Sequence, residues 1–220
     1  MGRRITGITL DNLDDVPEPC RHCTYWELGP SRRSWLSEAE SGSADKEAWI
    51  SGVLLEWGCC GQLIYVDGVP AGFVLYAPPA YVPRANAFPT SPISAEAVLL
   101  MTARVLPGLA GGGLGRVLLQ HVAKDLLRRD VRAIEAFGAP SRSGVEPAPS
   151  TAAGELPPPV GCVVPSEYLL AVGFKTVRPH PRYPRLRLDL RTALSWRTDV
   201  EVALERLLGS VHPDPALRPV

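Results

Sequence analysis

Ala97-Val98-Leu99-Leu100-Met101-Thr102-Ala103-Arg104-Val105, then Pro107-Gly108, then Ala110-Gly111-Gly112-Gly113-Leu114-Gly115-Arg116: the fold of this 220-residue chain turns on how these runs join. The first has the length and branched content of a mostly buried strand, although an apolar run this short also suits a buried helix. Pro107 and Gly108 end it. Past the glycines, Leu114, Val117, Leu118, Val122 and Leu126 recur at helical spacing with one face inward. Arg128 and Arg129 close that helix, where cations suit the negative end of the macrodipole. A strand, a loop free of side chains and a helix N-terminus together form an anion site. Glycines let backbone N–H groups approach a phosphate, and the unpaired first-turn amides favour its charge.

What is missing narrows the anion. No Gly-Lys-Ser/Thr follows the glycines, so the lysine and hydroxyl of a nucleoside-triphosphate loop are absent. The dinucleotide fingerprint needs a third glycine three residues after the second, but Gly113-Leu114-Gly115 is followed by Arg116, Val117 and Leu118. The plainer alternative is a flexible glycine turn that only joins strand to helix.

The stretch Val105-x-Pro107-x-x-Ala110-Gly111-Gly112-Gly113-Leu114-Gly115-Arg116-Val117-Leu118-Leu119 resembles the acetyl-coenzyme A pyrophosphate loop of the GNAT N-acetyltransferase superfamily. The family pattern is Arg/Gln-x-x-Gly-x-Gly/Ala, entered from strand four and leading into helix three. Ala110 stands where Arg or Gln is usual, which removes one side-chain contact but leaves the main-chain cradle. Pro165-Ser166-Glu167-Tyr168-Leu169-Leu170-Ala171-Val172-Gly173-Phe174 is similar to the family's fourth helix and its terminating Gly-Phe. The resemblance runs from about Gln62 to Leu190. It implies an α/β (α+β) fold with a mixed, mostly antiparallel central sheet, a parallel strand-four/strand-five splay and flanking helices.

The chemistry implied is acetyl transfer from acetyl-CoA, as co-substrate, to an amine by direct attack on the thioester. Main-chain groups of Thr102, Ala103, Val105 and Leu106 would pair with the pantetheine arm, and Ala110 to Arg116 would hold the pyrophosphate. An N–H on strand four would polarise the thioester oxygen. Here the chain departs from the family. Leu99 occupies the position of the glutamate base found in some members, and Leu169 that of the tyrosine acid, with Tyr168 one step earlier. A one-residue shift turns a helical side chain by about 100°. Glu135, within strand five, is the favoured candidate base and Tyr168 the candidate acid, with Glu96, Glu27 and His121 the other titratable candidates. Solvent acting as base would need none of them. A catalytically silent acyl-CoA binding or sensing protein, and a structural interaction domain with no cofactor, are the alternative readings. The acceptor, small molecule or peptide, stays open.

Composition agrees with one globular domain over 1–220: 45% of residues are hydrophobic and formal net charge is zero. Zero charge offers no global attraction to nucleic acid or an anionic membrane. The apolar runs are too short to span a bilayer, and Asp11, Asp14 and Asp15 interrupt any leader core, so a cytoplasmic protein is expected. Five cysteines do not read as a secreted disulfide framework. Cys20 and Cys23 have the spacing of a zinc or dithiol motif, but no second chelating pair matches; buried thiols are the alternative, and no metal is expected.

Arg4 to Leu10 alternates as a strand, with a helix expected after Asp15. Pro30 to Trp57 is helical in character, with a break at Ser41-Gly42-Ser43-Ala44-Asp45 that starts a new helix. Trp26, Trp35, Trp49 and Trp57 in this region are either core or part of an acceptor wall. Leu63-Ile64-Tyr65-Val66 and Ala71 to Tyr76 flank Asp67-Gly68 as a β-hairpin. Ala77 to Pro92 is a proline-crowded loop. Val131 to Phe137 is the parallel strand five, followed by a proline-rich insertion at 138–160, a passive linker or a lid. Gly161 to Val172 gives a short helix stopped by Gly173, then come strands at Phe174–Arg178 and Arg185–Leu190. An amphipathic helix is expected at about 199–208.

Overall fold

The computed structural model describes residues 2–29, 39–140 and 161–192. Within them an eight-stranded mixed sheet runs in the order β1-β2-β3-β4-β5-β8-β7, with β6 beside β5. β1 (Arg3–Gly7), β2 (Gly61–Val66), β3 (Val69–Ala77) and β4 (Ala97–Val105) are antiparallel neighbours. The β2–β3 hairpin turns at Asp67 and Gly68, both with positive φ (49° and 84°), the left-handed pair that matches strand twist. β5 (Ala133–Ala139) lies parallel to β4, reached through α2 (Leu114–Arg128). β8 (Arg185–Asp189) and β7 (Lys175–Arg178) close the far edge.

The strand reading of Ala97–Val105 is correct, and the packing explains its unbroken apolarity. Leu99 and Met101 face one core, with Trp26, Ile50, Phe73 and Phe137. Val98 and Leu100 face another, with Leu118, Val122, Ile134 and Leu169. A strand covered on both faces has no polar side to alternate with. α1 (Ala39–Trp57) and the N-terminal segment from Ile8 to Trp26 cover the first face; α2 and α3 (Ser166–Ala171) cover the second.

β4 and β5 pair only through Ala97↔Ala133, Val98↔Ile134 and Leu99↔Glu135. Beyond that they separate. The gap is flanked by a short wedge, Gly161 to Pro165, whose last two residues form β6 and pair with Gly138 and Ala139 of β5. The Cys162 carbonyl accepts hydrogen bonds from Trp26 Nε1 at 2.8 Å and Thr102 Oγ1 at 3.4 Å, so the wedge is tied to both the N-terminal segment and β4.

Several local expectations are corrected. The first strand ends at Gly7, short of Leu10, Leu10–Asp15 forms a 3-10 turn, and the helix expected after Asp15 is absent from the described residues 16–29. Helix α1 runs through Ser41–Asp45 without a break. Gly42 lets it close on the N-terminal segment, since a Cβ there would lie 2.8 Å from the His22 carbonyl, and the Ser43 hydroxyl donates to Glu47 one turn on instead of capping a new helix. The helix expected over Gly161–Val172 covers only Ser166–Ala171; Val164-Pro165 is extended, as a branched residue before a proline favours. The loop after β3 holds two 3-10 turns, Pro79–Tyr81 and Pro83–Ala87. Strand five extends to Ala139, so the start of the 138–160 insertion belongs to the sheet; residues 141–160, Trp35 and the 199–208 helix lie outside the described residues.

Trp26 is core: it stacks on Phe88 and Phe137 at centroid distances of 5.1 and 6.3 Å. Trp49 donates to the Tyr81 carbonyl, and Trp57 packs under the Arg129 guanidinium. Beneath α1, Lys46 and Glu27 form a buried ion pair, and Lys46 also donates to the Cys23 carbonyl.

Candidate acyl-coenzyme A site

The splay opens into a cleft of about 570 Å³, within the range of small-molecule sites. Its floor is Phe73 and Val74 of β3 with Ala103, Arg104 and Val105 of β4. One wall is the glycine loop and the first turns of α2, from Leu109 to Leu119; the other is Gly161 and Pro165 of the wedge with Tyr168, Ala171 and Val172.

The loop has the backbone that its glycines allow. Gly108, Gly111 and Gly113 all have positive φ (86°, 87° and 75°), a conformation costly for other residues. No atom lies within 4 Å of a Cβ built on Gly111 or Gly113, so the surface above them is open. Gly113 is the N-cap of α2 and brings no side-chain cap, and no acidic residue stands in the first turn. Leu114, Gly115 and Arg116 of that turn line the cleft, so its unpaired amides and the positive dipole end lie at the cleft with no acidic residue of the turn beside them. Arg116, on the same turn, lines the cleft and donates to the Ala171 carbonyl at 2.7 Å, bridging α2 to α3.

Of the residues assigned to the cofactor from sequence, Ala103, Val105, Ala110, Gly111, Gly113, Leu114, Gly115 and Arg116 line the cleft. Leu106 and Gly112 are not in its walls, and the Leu106 N–H donates to Ala71 at 2.9 Å. Gly115 has a second task. A Cβ there would lie 2.7 Å from the Tyr168 hydroxyl, so the glycine makes room for that ring.

Tyr168 does reach the cleft despite its one-residue offset. Burial pushes its phenol above the ordinary tyrosine value, with Arg116 pulling the other way, so it stays protonated at neutral pH. Glu135, the base favoured from sequence, is not in the cleft. It stands opposite Leu99 at the closed end of the splay, 1% exposed, accepting from the Ser94 N–H and hydroxyl, with Arg187 at 3.1 Å and Arg185 at 3.6 Å. A carboxylate so enclosed holds three elements together. Glu96 pairs with Arg187, Glu27 with Lys46, and His121 with Gln62; none of them lines the cleft.

Compared by sequence, the chain matches no protein-family model and no curated protein. Compared by structure, it is similar to the PaiA N-acetyltransferase of Thermoplasma acidophilum in complex with coenzyme A, at 13% identity and a TM-score of 0.53 over 86% of this chain and 99% of that one. It is similar to YncA from Salmonella typhimurium, solved with its cofactor acetyl-CoA, at 13% identity and a TM-score of 0.52 over 86% and 95%. An N-acetyltransferase from Staphylococcus aureus aligns over 86% and 99% at 12% identity and a TM-score of 0.51. The chain has the GNAT fold. At these identities the likeness is one of architecture. The sequence alone does not single out Arg104, the one charge in the otherwise uncharged β4, and its pattern makes the wedge part of a helix. The arginine's isolation is the signal the sequence carries; the wedge depends on contacts with residues more than fifty positions away.

No cluster of three or more potential metal ligands occurs among the described residues, Cys20 and Cys23 included. Cys20 is buried and Cys23 half-buried. No helix among the described residues is long and apolar enough to cross a membrane.

Proposed function

We propose that the chain is an acetyl-CoA-dependent N-acetyltransferase acting on a small-molecule or peptide amine. The observation that carries this reading is the open, uncapped start of α2 behind the left-handed glycines Gly111 and Gly113, at one end of a cleft between separated parallel strands. The main-chain amides of Leu114, Gly115 and Arg116 would hold the pyrophosphate, and the free edge of β4 near Ala103 and Val105 the pantetheine arm. The thioester supplies an activated acetyl group. Tyr168, kept protonated by burial, is suited to give a proton to the departing thiolate. The attacking amine would lose its proton to solvent, since among the described residues lining the cleft there is no carboxylate or histidine.

That same observation favours a second reading, a catalytically silent acyl-CoA binding protein. Calorimetric titration with acetyl-CoA, coenzyme A and ATP, followed by thiol-release assays over an amine panel, separates the two. Saturable binding of both coenzyme A compounds but not ATP, with turnover of at least one amine, is the expected result. Binding without turnover of any amine would favour the silent binder, and no binding would overturn both.

A further inference from the structure

The sequence pair Cys20-x-x-Cys23 is used neither by the cleft nor by a metal, yet the fold brings a third cysteine to it. Cys162, on the wedge, places its Sγ 3.5 Å from the Sγ of Cys23, across 139 residues of sequence. Both thiols are free. Cys23 is half-buried and reachable, whereas Cys162 is 4% exposed behind it.

We propose that Cys23 and Cys162 are a redox-modification site, in which a peroxide oxidises Cys23 and Cys162 then closes a disulfide that fastens the wedge to the N-terminal segment. The first step forms a bond from the Cys23 sulfur to one peroxide oxygen and breaks the O–O bond. The second oxygen leaves as hydroxide and takes up a proton as water, and Cys23 becomes a sulfenic acid. In the second step the Cys162 sulfur attacks the Cys23 sulfur, the S–O bond breaks, and the oxygen leaves as water with the Cys162 proton. Two thiols lose two electrons, and one peroxide is reduced to two waters.

The surroundings assign the roles. The hydrogen-bonded contact with Cys162 pulls Cys23 below the ordinary thiol value, outweighing the burial that works against it, while the same contact and burial push Cys162 up, so the more exposed sulfur is also the readier thiolate. The charged groups facing it, Glu27 and Lys46, oppose one another. Cys20 is fully buried, its thiol is raised by burial, and its sulfur accepts from Arg104 Nη1 at 3.2 Å. It is therefore the poorer nucleophile despite its spacing. Cys59 is engaged with the Tyr76 hydroxyl and Cys60 is 0% exposed.

The consequence lies in the cleft wall. The wedge is already held by two hydrogen bonds to the Cys162 carbonyl, and Gly161 and Pro165 on either side of Cys162 line the cleft. A disulfide there turns a wall held by weak bonds into one held covalently.

The test is limited oxidation of the folded protein with hydrogen peroxide, an acid quench with N-ethylmaleimide, and a non-reducing tryptic map. Arg21 lies between Cys20 and Cys23, so trypsin puts them on different peptides. The expected product has lost two hydrogens and links the Cys23 peptide to the Cys162 peptide. The link persists in Cys20→Ser and is lost in Cys23→Ser and in Cys162→Ser. The melting temperature of the oxidised wild type rises by at least about 5 °C over the reduced form, as closure of a long loop implies. A link involving Cys20, oxidation of Cys23 with Cys162 still alkylated, or no reaction of Cys23 overturns the proposal. The wild-type map decides this even if a variant fails to fold, and no part of it depends on coenzyme A.

Discussion

A methyl group on Gly115 would sit 2.7 Å from the hydroxyl of Tyr168 and 3.3 Å from two of its ring carbons. The last glycine of the loop is thus a packing position against α3, whereas Gly111 and Gly113 border open space. Gly115→Ala is expected to displace the Tyr168 ring and cost on the order of 1–3 kcal/mol. In a Tyr168→Phe background the cost should be smaller, because the nearest atom is gone. Urea denaturation of the four members of the double-mutant cycle measures this, and additivity would rule out the contact.

Gly113→Val acts differently. Nothing collides, but the residue must adopt a φ of 75° and places a branched side chain beside the first-turn amides. Stability is expected to fall by about 1–2 kcal/mol. Coenzyme A affinity should fall at least about tenfold, since steric exclusion removes several charge-assisted bonds. Calorimetry and circular dichroism on one preparation check both, and unchanged affinity would remove the loop as the pyrophosphate site.

Tyr168→Phe keeps the ring and removes the proton. If Tyr168 protonates the leaving thiolate, kcat falls by about 10²-fold or more while KM for acetyl-CoA stays within a few-fold. Equal loss in both would mean the hydroxyl serves binding.

Glu135→Gln tests the structural role of that carboxylate. Arg187 keeps Glu96 and Asp189 as partners while the partly exposed Arg185 loses its carboxylate neighbour, so the loss is expected to be about 1–3 kcal/mol. Turnover per folded molecule should be unchanged across pH. A pH-dependent loss of kcat with native stability would restore Glu135 as a base.

Stability should decline in alkali. Burial raises the Cys60 thiol to about 12 from an ordinary 9.0, and raises Tyr76 above its ordinary 10.0. A folded value above the unfolded one means the contribution is fully present below pH 9 and is lost as pH rises toward 12. The expected slope from Cys60 is roughly 1.4 kcal/mol per pH unit above pH 9, with Tyr76 adding to it above pH 10. Urea melts from pH 7 to 11 measure the slope, and Cys60→Ala should flatten its first part.

Much of this architecture was legible in one dimension because its causes are local. The alternation of apolar residues, the Asp67-Gly68 turn, and the glycines before Leu114 each act on their immediate neighbours in the chain. Backbone sterics dictate a left-handed turn wherever glycine stands, whatever surrounds it. The residues Ala110 to Arg116 were therefore placed at the cleft without tertiary knowledge, apart from Gly112.

The chemistry of the charged and sulfur-bearing residues was not legible, because each depends on partners brought from far along the chain. Glu135 reads as a candidate base from its strand, and only the approach of Ser94, Arg185 and Arg187 encloses it. Cys23 reads as half of a motif with Cys20, but folding gives it Cys162, 139 residues away. Ser41–Asp45 has the composition of a helix break, and the packing of Gly42 on His22 overrides it. Sequence by itself determined most of the strands, the hairpin and the glycine loop that opens α2, which follow from short-range sterics and periodicity. Tertiary structure alone decided which carboxylates are closed off, which phenol faces the cleft and which two thiols meet, since desolvation and pairing across long sequence separations exist only once the chain has folded.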